Sequence, residues 1–338
     1  MTGVQALAAL NSFYALPDLL IVNNGTTSSD VWIADSTSVA AVQHATYSAV
    51  SQSWTWDART NIPGSSNNAF YVQLAWTGSN LICAYQDGSH AVYLNYTNVK
   101  NGTSGWQPAQ VQLSSAGSAN VRPVIVLLHE AALAATVALY SINSQVISRV
   151  LADSALPGLA NWGAEVSVVN ANVGSSSIGG YAYAANLTAV VDPATKLIHV
   201  AYGDGGSGTR SPGYLSGTAS VDGANPPNSR IAWGTPVTVG TPSSSNSGPA
   251  IGVDRASTVF VFWAGSTGTS AADIKYSKLV SPYTAAAPES NFTTNAGGNY
   301  TQPHIPRSEV LAGYVPVVFE SGVANPYKVL LDASLTAG

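Results

Sequence analysis

Apolar residues in this chain fall into short runs of five to nine positions, either alternating with polar residues or unbroken. Gly, Ser, Asn or Pro bounds each run. Runs of this length and period predict β-strands, because a helix would need apolar positions three and four apart over a longer stretch. One run recurs: a β-rich apolar segment ending in an aromatic residue, then small or acidic residues. It reads LICAYQDG, TVALYSIN, IHVAYGDG, VFVFWAGS and VPVVFESG, closing on Tyr85, Tyr140, Tyr202, Trp263 and Phe319. Successive closing aromatics lie 55, 62, 61 and 56 residues apart. A sixth copy, DVWIADST at 30–37, precedes them without the terminal aromatic.

Other elements keep a fixed order around this run. A Pro-led apolar stretch comes first, at Pro17, Pro123, Pro249 and Pro303. After the run comes a strand such as AVYLNYT or DIKYSKL. Last is a Trp followed four or five residues later by Val: Trp106 with Val111, Trp162 with Val166, Trp233 with Val237. Trp54 or Trp56 and Phe292 take that place nearer the ends. Four short antiparallel strands per unit of this size describe a propeller blade. The expected fold is therefore all-β: one six-bladed β-propeller domain with blades near 12–60, 68–115, 121–170, 180–240, 247–296 and 300–336. The last unit has only three runs, at 303–308, 314–320 and 327–332. Residues 3–10, GVQALAAL, are expected to supply its outer strand and close the ring, pairing two open edges.

Composition narrows the partners. Only 9% of the 338 residues are charged, against roughly 25% in a typical soluble domain. Ser and Thr, 68 residues together, must cover the surface instead. The net charge of −5 argues against nucleic acid and anionic membrane, both of which need a basic patch. No 18-residue apolar run predicts a membrane span, and the first ten residues lack the cationic start of a signal peptide. Six Asn-x-Ser/Thr sites, at Asn24, Asn95, Asn101, Asn186, Asn291 and Asn299, are about what chance gives in so Asn-, Ser- and Thr-rich a chain. Location stays open, extracellular and virion-surface settings included.

Chemistry-bearing motifs are sparse. Cys83 is the sole cysteine and reads as a small buried hydrophobe, so no disulfide is possible. The five His residues have no zinc-ligand spacing, and no Gly-x-Ser-x-Gly elbow is present. No metal or cofactor is expected. Side chains predicted at the loops between second and third strands, and between blades, include Asp35, Arg59, Asp87, His90, Arg122, Asp204, Arg210 and Glu320. The run-ending aromatics either pack between blades or, with Trp263 foremost, stack on sugars beside those polar groups.

With these residues in view, the chain resembles the sialidase-like superfamily of six-bladed propellers. The resemblance lies in the period and in turns similar to that family's Ser-x-Asp-x-Gly-x-Thr-Trp motif: Thr97 to Thr103 before Trp106, and Ser220 to Gly223 before Trp233. Neither turn is a full match. Sialidases place an Arg in an aromatic-Arg-Ile-Pro motif at the first strand, whereas Tyr14-Ala15-Leu16-Pro17 carries Ala15 there. An alanine cannot replace a bidentate guanidinium, so the resemblance implies a non-catalytic member. A Tyr–Glu nucleophile pair would have to use Glu130, Glu165 or Glu320, and nothing in the sequence chooses among them.

The first functional reading is a non-enzymatic recognition or adhesion module, lectin-like, binding a neutral glycan or a partner protein surface. Its expected contacts are Asp87, His90, Asp204, Arg210, Trp263 and Glu320. A structural or attachment protein of a viral or phage particle, assembling as an oligomer, is a second reading. A divergent glycoside hydrolase or lyase is a third.

Overall fold

The computed structural model describes residues 18–23, 28–36, 39–65, 69–115, 117, 124–171, 173, 186–204, 211–241, 248–266, 272–293, 300–305, 317–321 and 328–330. Within them the chain forms six separate antiparallel sheets in sequence order. The first contains Asp18–Asn23, Ser28–Ser36, Ala40–Ser48 and Ser53–Trp56, with Thr60–Asn61 also pairing on the third strand. The second contains Phe70–Trp76, Leu81–Gln86, Val92–Thr97 and Val111–Gln112. The third contains Ile125–Glu130, Ala135–Ile142, Gln145–Ala152 and Val166–Val169.

The fourth sheet has Leu187–Val191, Leu197–Asp204, Ser211–Ser220 and Arg230–Trp233, with Val237–Thr238 returning to the third strand. The fifth has Ala250–Val253, Val259–Ser266, Ala272–Leu279 and Ser290–Asn291. The sixth shows three strands, Tyr300–His304, Val317–Ser321 and Lys328–Leu330. Residues 3–10, expected to complete it, lie outside the described residues. The only helices described are two single 3-10 turns, Leu159–Asn161 and Pro226–Asn228. None is long and apolar enough to cross a membrane.

Burial explains why the apolar runs look as they do. The second strands Leu81–Gln86 and Ala135–Ile142 are buried at every position. A strand covered on both faces must be continuously apolar, which is why these segments do not alternate. Ser53–Trp56, an outermost strand, is mostly exposed and alternates Ser-Trp-Thr-Trp. The core is a series of inter-sheet layers. One joins the first and second sheets through Trp32, Val42, Leu74 and Tyr85, another the fourth and fifth through Tyr214, Val239, Val261 and Trp263. First strands pack on the next sheet's first strand, and buried Asp18 accepts the Leu74 amide at 2.6 Å across one such junction.

Candidate functional site

Tyr85, Tyr140, Tyr202 and Trp263, which end second strands, are packing elements. Tyr85 and Tyr140 are fully buried, and Trp263 is 3% exposed. Gly240 lies against the Trp263 indole so closely that a Cβ there would sit 2.1 Å from its Cζ2. The expectation that Trp263 offers a stacking face is therefore corrected. The wedge between neighbouring sheets needs a large apolar filler at each second-strand end, and the indole is used for that.

A polar residue stands one position before the outer strand in three sheets, and in two of them it bonds this aromatic. Tyr85 donates to Gln110 Oε1 at 2.8 Å, and Tyr140 donates to Glu165 Oε1 at 2.8 Å. Glu165 also accepts the Ser115 amide at 2.8 Å and the Ser115 hydroxyl at 2.6 Å, from the segment leaving the second sheet. In the fifth sheet Glu289 accepts the amide of Thr241, which leaves the fourth sheet, and the Lys275 ammonium, at 2.8 and 2.7 Å. Glu165 and Glu289 are thus latches between successive sheets, whereas the Tyr85–Gln110 bond lies within the second sheet.

The Tyr140–Glu165 pair also has the composition of a tyrosine nucleophile and its base, with Arg149 Nε donating to the phenol oxygen at 3.1 Å. Its electrostatics oppose that chemistry. Burial pushes the Tyr140 phenol up, and the Glu165 charge pushes it further against a smaller opposing effect of Arg149. Burial alone would raise Glu165, but the Ser115, Tyr140 and Arg149 contacts outweigh it and hold the carboxyl low. The proton stays on a fully buried phenol, so the pair fastens sheets rather than attacking a substrate.

The polar positions expected at the loops divide. Asp87 caps its own hairpin: Oδ1 accepts the Ser89 amide at 2.9 Å and the Ser89 hydroxyl at 2.6 Å, while His90 takes the left-handed conformation at φ 60°. Asp204 is exposed at the end of its strand. Glu320 pairs with Thr301 in the sixth sheet. Arg210 and Arg122 lie outside the described residues, as does the Tyr14–Pro17 stretch.

Asp35 and Arg59 do come together. Arg59 Nη2 bonds Asp35 Oδ1, its Nε reaches Asp35 Oδ2 at 3.3 Å, and its Nη1 reaches Asn61 Oδ1 at 3.3 Å. The Arg59 side chain is 39% exposed. Register puts Asp35 and Asn61 opposite Ala41, on the sheet face that also carries Ala45, Tyr47, Trp54 and Trp56.

The other face of the same strands holds a buried polar chain. His44 Nδ1 lies 2.7 Å from Asp57 Oδ2, and its Nε2 lies 2.9 Å from Asp30 Oδ1. Lys100 of the second sheet pairs with Asp30, and Trp32 donates to the Lys100 carbonyl at 2.8 Å. This chain fixes the hairpin that presents Trp54 and Trp56. Among the described residues no group of three or more His, Cys, Asp or Glu is placed to hold a metal ion.

No family model matches this chain, and no curated protein matches it in sequence. Solved structures match in shape. A 6-phosphogluconolactonase-like protein of Bacteroides fragilis superposes with a TM-score of 0.54 at 11% identity, over 90% of this chain and 78% of that one. A family PL25 ulvan lyase, bound to a -[GlcA(1-4)Rha3S]- ligand, superposes with a TM-score of 0.53 at 8% identity, over 90% and 76%. At such identities the likeness shows the fold alone: the chain is a β-propeller.

Proposed function

We propose that this protein is a non-enzymatic, glycan-recognising β-propeller of six blades, sialidase-like in its outer turns, with residues 3–10 completing the sixth sheet. Support for the closed ring is the inner end of the first sheet's open face. Leu19 and Ile21 are 53% and 41% exposed there, an apolar edge that a closing sheet would cover. Support for the sialidase-like turn is its wiring before Trp106. Asn101 Oδ1 accepts the Thr103 amide and hydroxyl at 3.3 and 2.9 Å, and Trp106 Nε1 donates to the Gly102 carbonyl at 2.8 Å.

The observation that carries recognition is the Asp35–Arg59–Asn61 group. It is held by its own hydrogen bonds, partly exposed and neutral overall. A guanidinium and a carboxylate held side by side suit the hydroxyls of a sugar, offering donors and acceptors together. Asp204, Arg210 and Glu320, with Asp87 and His90, form the proposed polar surround on the other sheets.

The test is a glycan array followed by calorimetric titration of any hit against wild type and Arg59→Ala. Binding should fall at least about tenfold in the variant, one hydrogen-bonded pair's worth. It should change little between low and high salt, since the group carries no net charge. Equal affinity in Arg59→Ala, or turnover of the bound glycan, overturns the proposal.

A further inference from the structure

The fold sorts the Asn-x-Ser/Thr sequences into two kinds. Asn95 and Thr97 are both fully buried, on the third strand of the second sheet. Asn95 Nδ2 spends both its hydrogens, on the Pro63 carbonyl at 2.8 Å and the Gln107 carbonyl at 3.0 Å. Its Oδ1 accepts the Gln107 amide at 3.1 Å, and the Thr97 hydroxyl donates to the Ser104 carbonyl at 2.8 Å. Asn186, one residue before the fourth sheet's first strand, is 1% exposed, with Nδ2 3.4 Å from the Val173 carbonyl. Asn101 and Asn291 differ. Asn291 is exposed on an outer strand, and Asn101 is only partly buried, in a turn that uses its oxygen rather than its nitrogen. Asn24 and Asn299 lie outside the described residues.

We infer that N-glycosylation of Asn95 or Asn186 is incompatible with this fold, so that the chain folds where no N-glycosylating enzyme reaches it, whatever ligand the propeller binds. The order of events decides this. The transferase acts on extended chain as it enters the secretory compartment, before strands pair, so burial in the finished sheet gives no protection. It reads local sequence only. Asn95-Tyr96-Thr97 and Asn186-Leu187-Thr188 both satisfy it, with no proline in the middle place. In the reaction Asn Nδ2 bonds the anomeric carbon of a lipid-linked oligosaccharide, the C1–O bond to the pyrophosphate carrier breaks, and the Nδ2 proton is released.

Neither site has room for the product. At Asn95 the sugar replaces one Nδ2 hydrogen, so the Pro63 or the Gln107 carbonyl loses its donor. Those bonds tie the third strand to the segment leaving the first sheet and to the one leading into its own outer strand. The cross-strand neighbour Cys83 is also fully buried, and an interior at native density leaves no space for a pyranose ring. At Asn186 the backbone is fastened as well, because the Gly203 amide donates to the Asn186 carbonyl at 2.9 Å. Turning the side chain out to solvent would unpair the start of that strand. A bulky, polar glycan belongs at a surface, which only Asn101 and Asn291 offer among the described sites.

The experiment produces the full chain twice: in the bacterial cytosol, and behind a cleavable secretion leader in eukaryotic cells with and without tunicamycin. Peptide mass spectrometry maps the glycans, and urea unfolding reports folding. The cytosolic chain should fold. In the secretory route, glycan on Asn95 or Asn186 should be confined to a retained, protease-sensitive fraction, whereas secreted molecules carry it only at other sites. Tunicamycin should raise the folded, secreted yield at least about tenfold, since cells remove chains that do not fold. Folded, secreted molecules with a glycan on Asn95 or Asn186 overturn the incompatibility. Full secretion of folded chain with both sites empty overturns the inferred compartment, because folding then outruns the transferase. Retention unrelieved by tunicamycin overturns the glycan as the cause. A chain that folds only through the secretory route overturns the whole.

Discussion

Replacing Glu165 by alanine separates buried polar latching from apolar packing as the force that joins successive sheets. The carboxylate takes the Ser115 amide, the Ser115 hydroxyl and the Tyr140 phenol at 2.8, 2.6 and 2.8 Å. A hydrogen bond to a charged group contributes about 1.5–3 kcal/mol, and a buried donor left unpaired costs about 1–3 kcal/mol. Tyr140 is fully buried and keeps only the longer contact to the Leu113 carbonyl at 3.4 Å, so most of the loss of its acceptor counts. The Ser115 contacts are near solvent, and water takes over much of their role. Glu165→Ala should therefore destabilise by about 2–4 kcal/mol. Tyr140→Phe removes one donor but leaves the carboxylate its other partners, so about 1 kcal/mol is expected. Both single variants break the same bond, so the double variant should fall short of their sum by at least about 1 kcal/mol. Urea unfolding followed by tryptophan fluorescence and by far-ultraviolet circular dichroism measures all three. Additive effects, or a Glu165→Ala loss below about 0.5 kcal/mol, would refute the latch.

Gly240→Ala should lower the unfolding free energy by about 1–3 kcal/mol, read as a lower urea midpoint, since its Cβ would meet the Trp263 indole at 2.1 Å; an unchanged midpoint means the indole is free to move. Trp106→Phe should cost about 1 kcal/mol by removing the donor to the Gly102 carbonyl at 2.8 Å, read as a shift in the same midpoint. His199 is buried with Nδ1 2.7 Å from the Tyr214 hydroxyl, and burial lowers its pKa from 6.5 to about 4, with Asp192 opposing. The unfolded chain binds the proton first, so stability is full above pH 6.5 and is lost as pH falls towards 4, by about 3 kcal/mol in all. A His199→Gln variant whose stability has the same slope over that window would show that another group is responsible.

The sheets were legible because their signals are local. Runs of five to nine apolar residues, broken by Gly and Pro, encode strands whatever the neighbours do. Each of the five aromatic-ended copies, 55–62 residues apart, became the second strand of a sheet. Strand ends in the last unit were less legible. The Pro303 run was expected over 303–308 and forms Tyr300–His304 instead. Proline lacks a ladder donor but is tolerated on the unpaired side of an edge, so it marks a strand without fixing where it begins. The latches were also hidden, because Glu165 meets Ser115 from 50 residues away and no local pattern records such a pair.

Sequence ranked the tryptophans by neighbourhood, whereas exposure follows position within a sheet. Trp263 sits beside acids and glycines in a run that looks like a rim, yet a second strand has a sheet on either side and buries whatever it carries. Trp54 and Trp56 looked like fillers of a repeat position, yet they lie on an edge strand with a partner on one side only. The discriminating signal was present in the letters. Ser-Trp-Thr-Trp alternates polar and aromatic, and alternation is the mark of a strand with one face open, whereas Val-Phe-Val-Phe-Trp is apolar throughout and marks a strand with none. In a propeller, then, an aromatic in an unbroken apolar run belongs to the wedge between sheets. An aromatic on an outer strand still meets a neighbouring sheet where the ring is continuous: Trp233, on the fourth sheet's outer strand, packs on the third sheet and donates to the Ser148 hydroxyl at 3.0 Å.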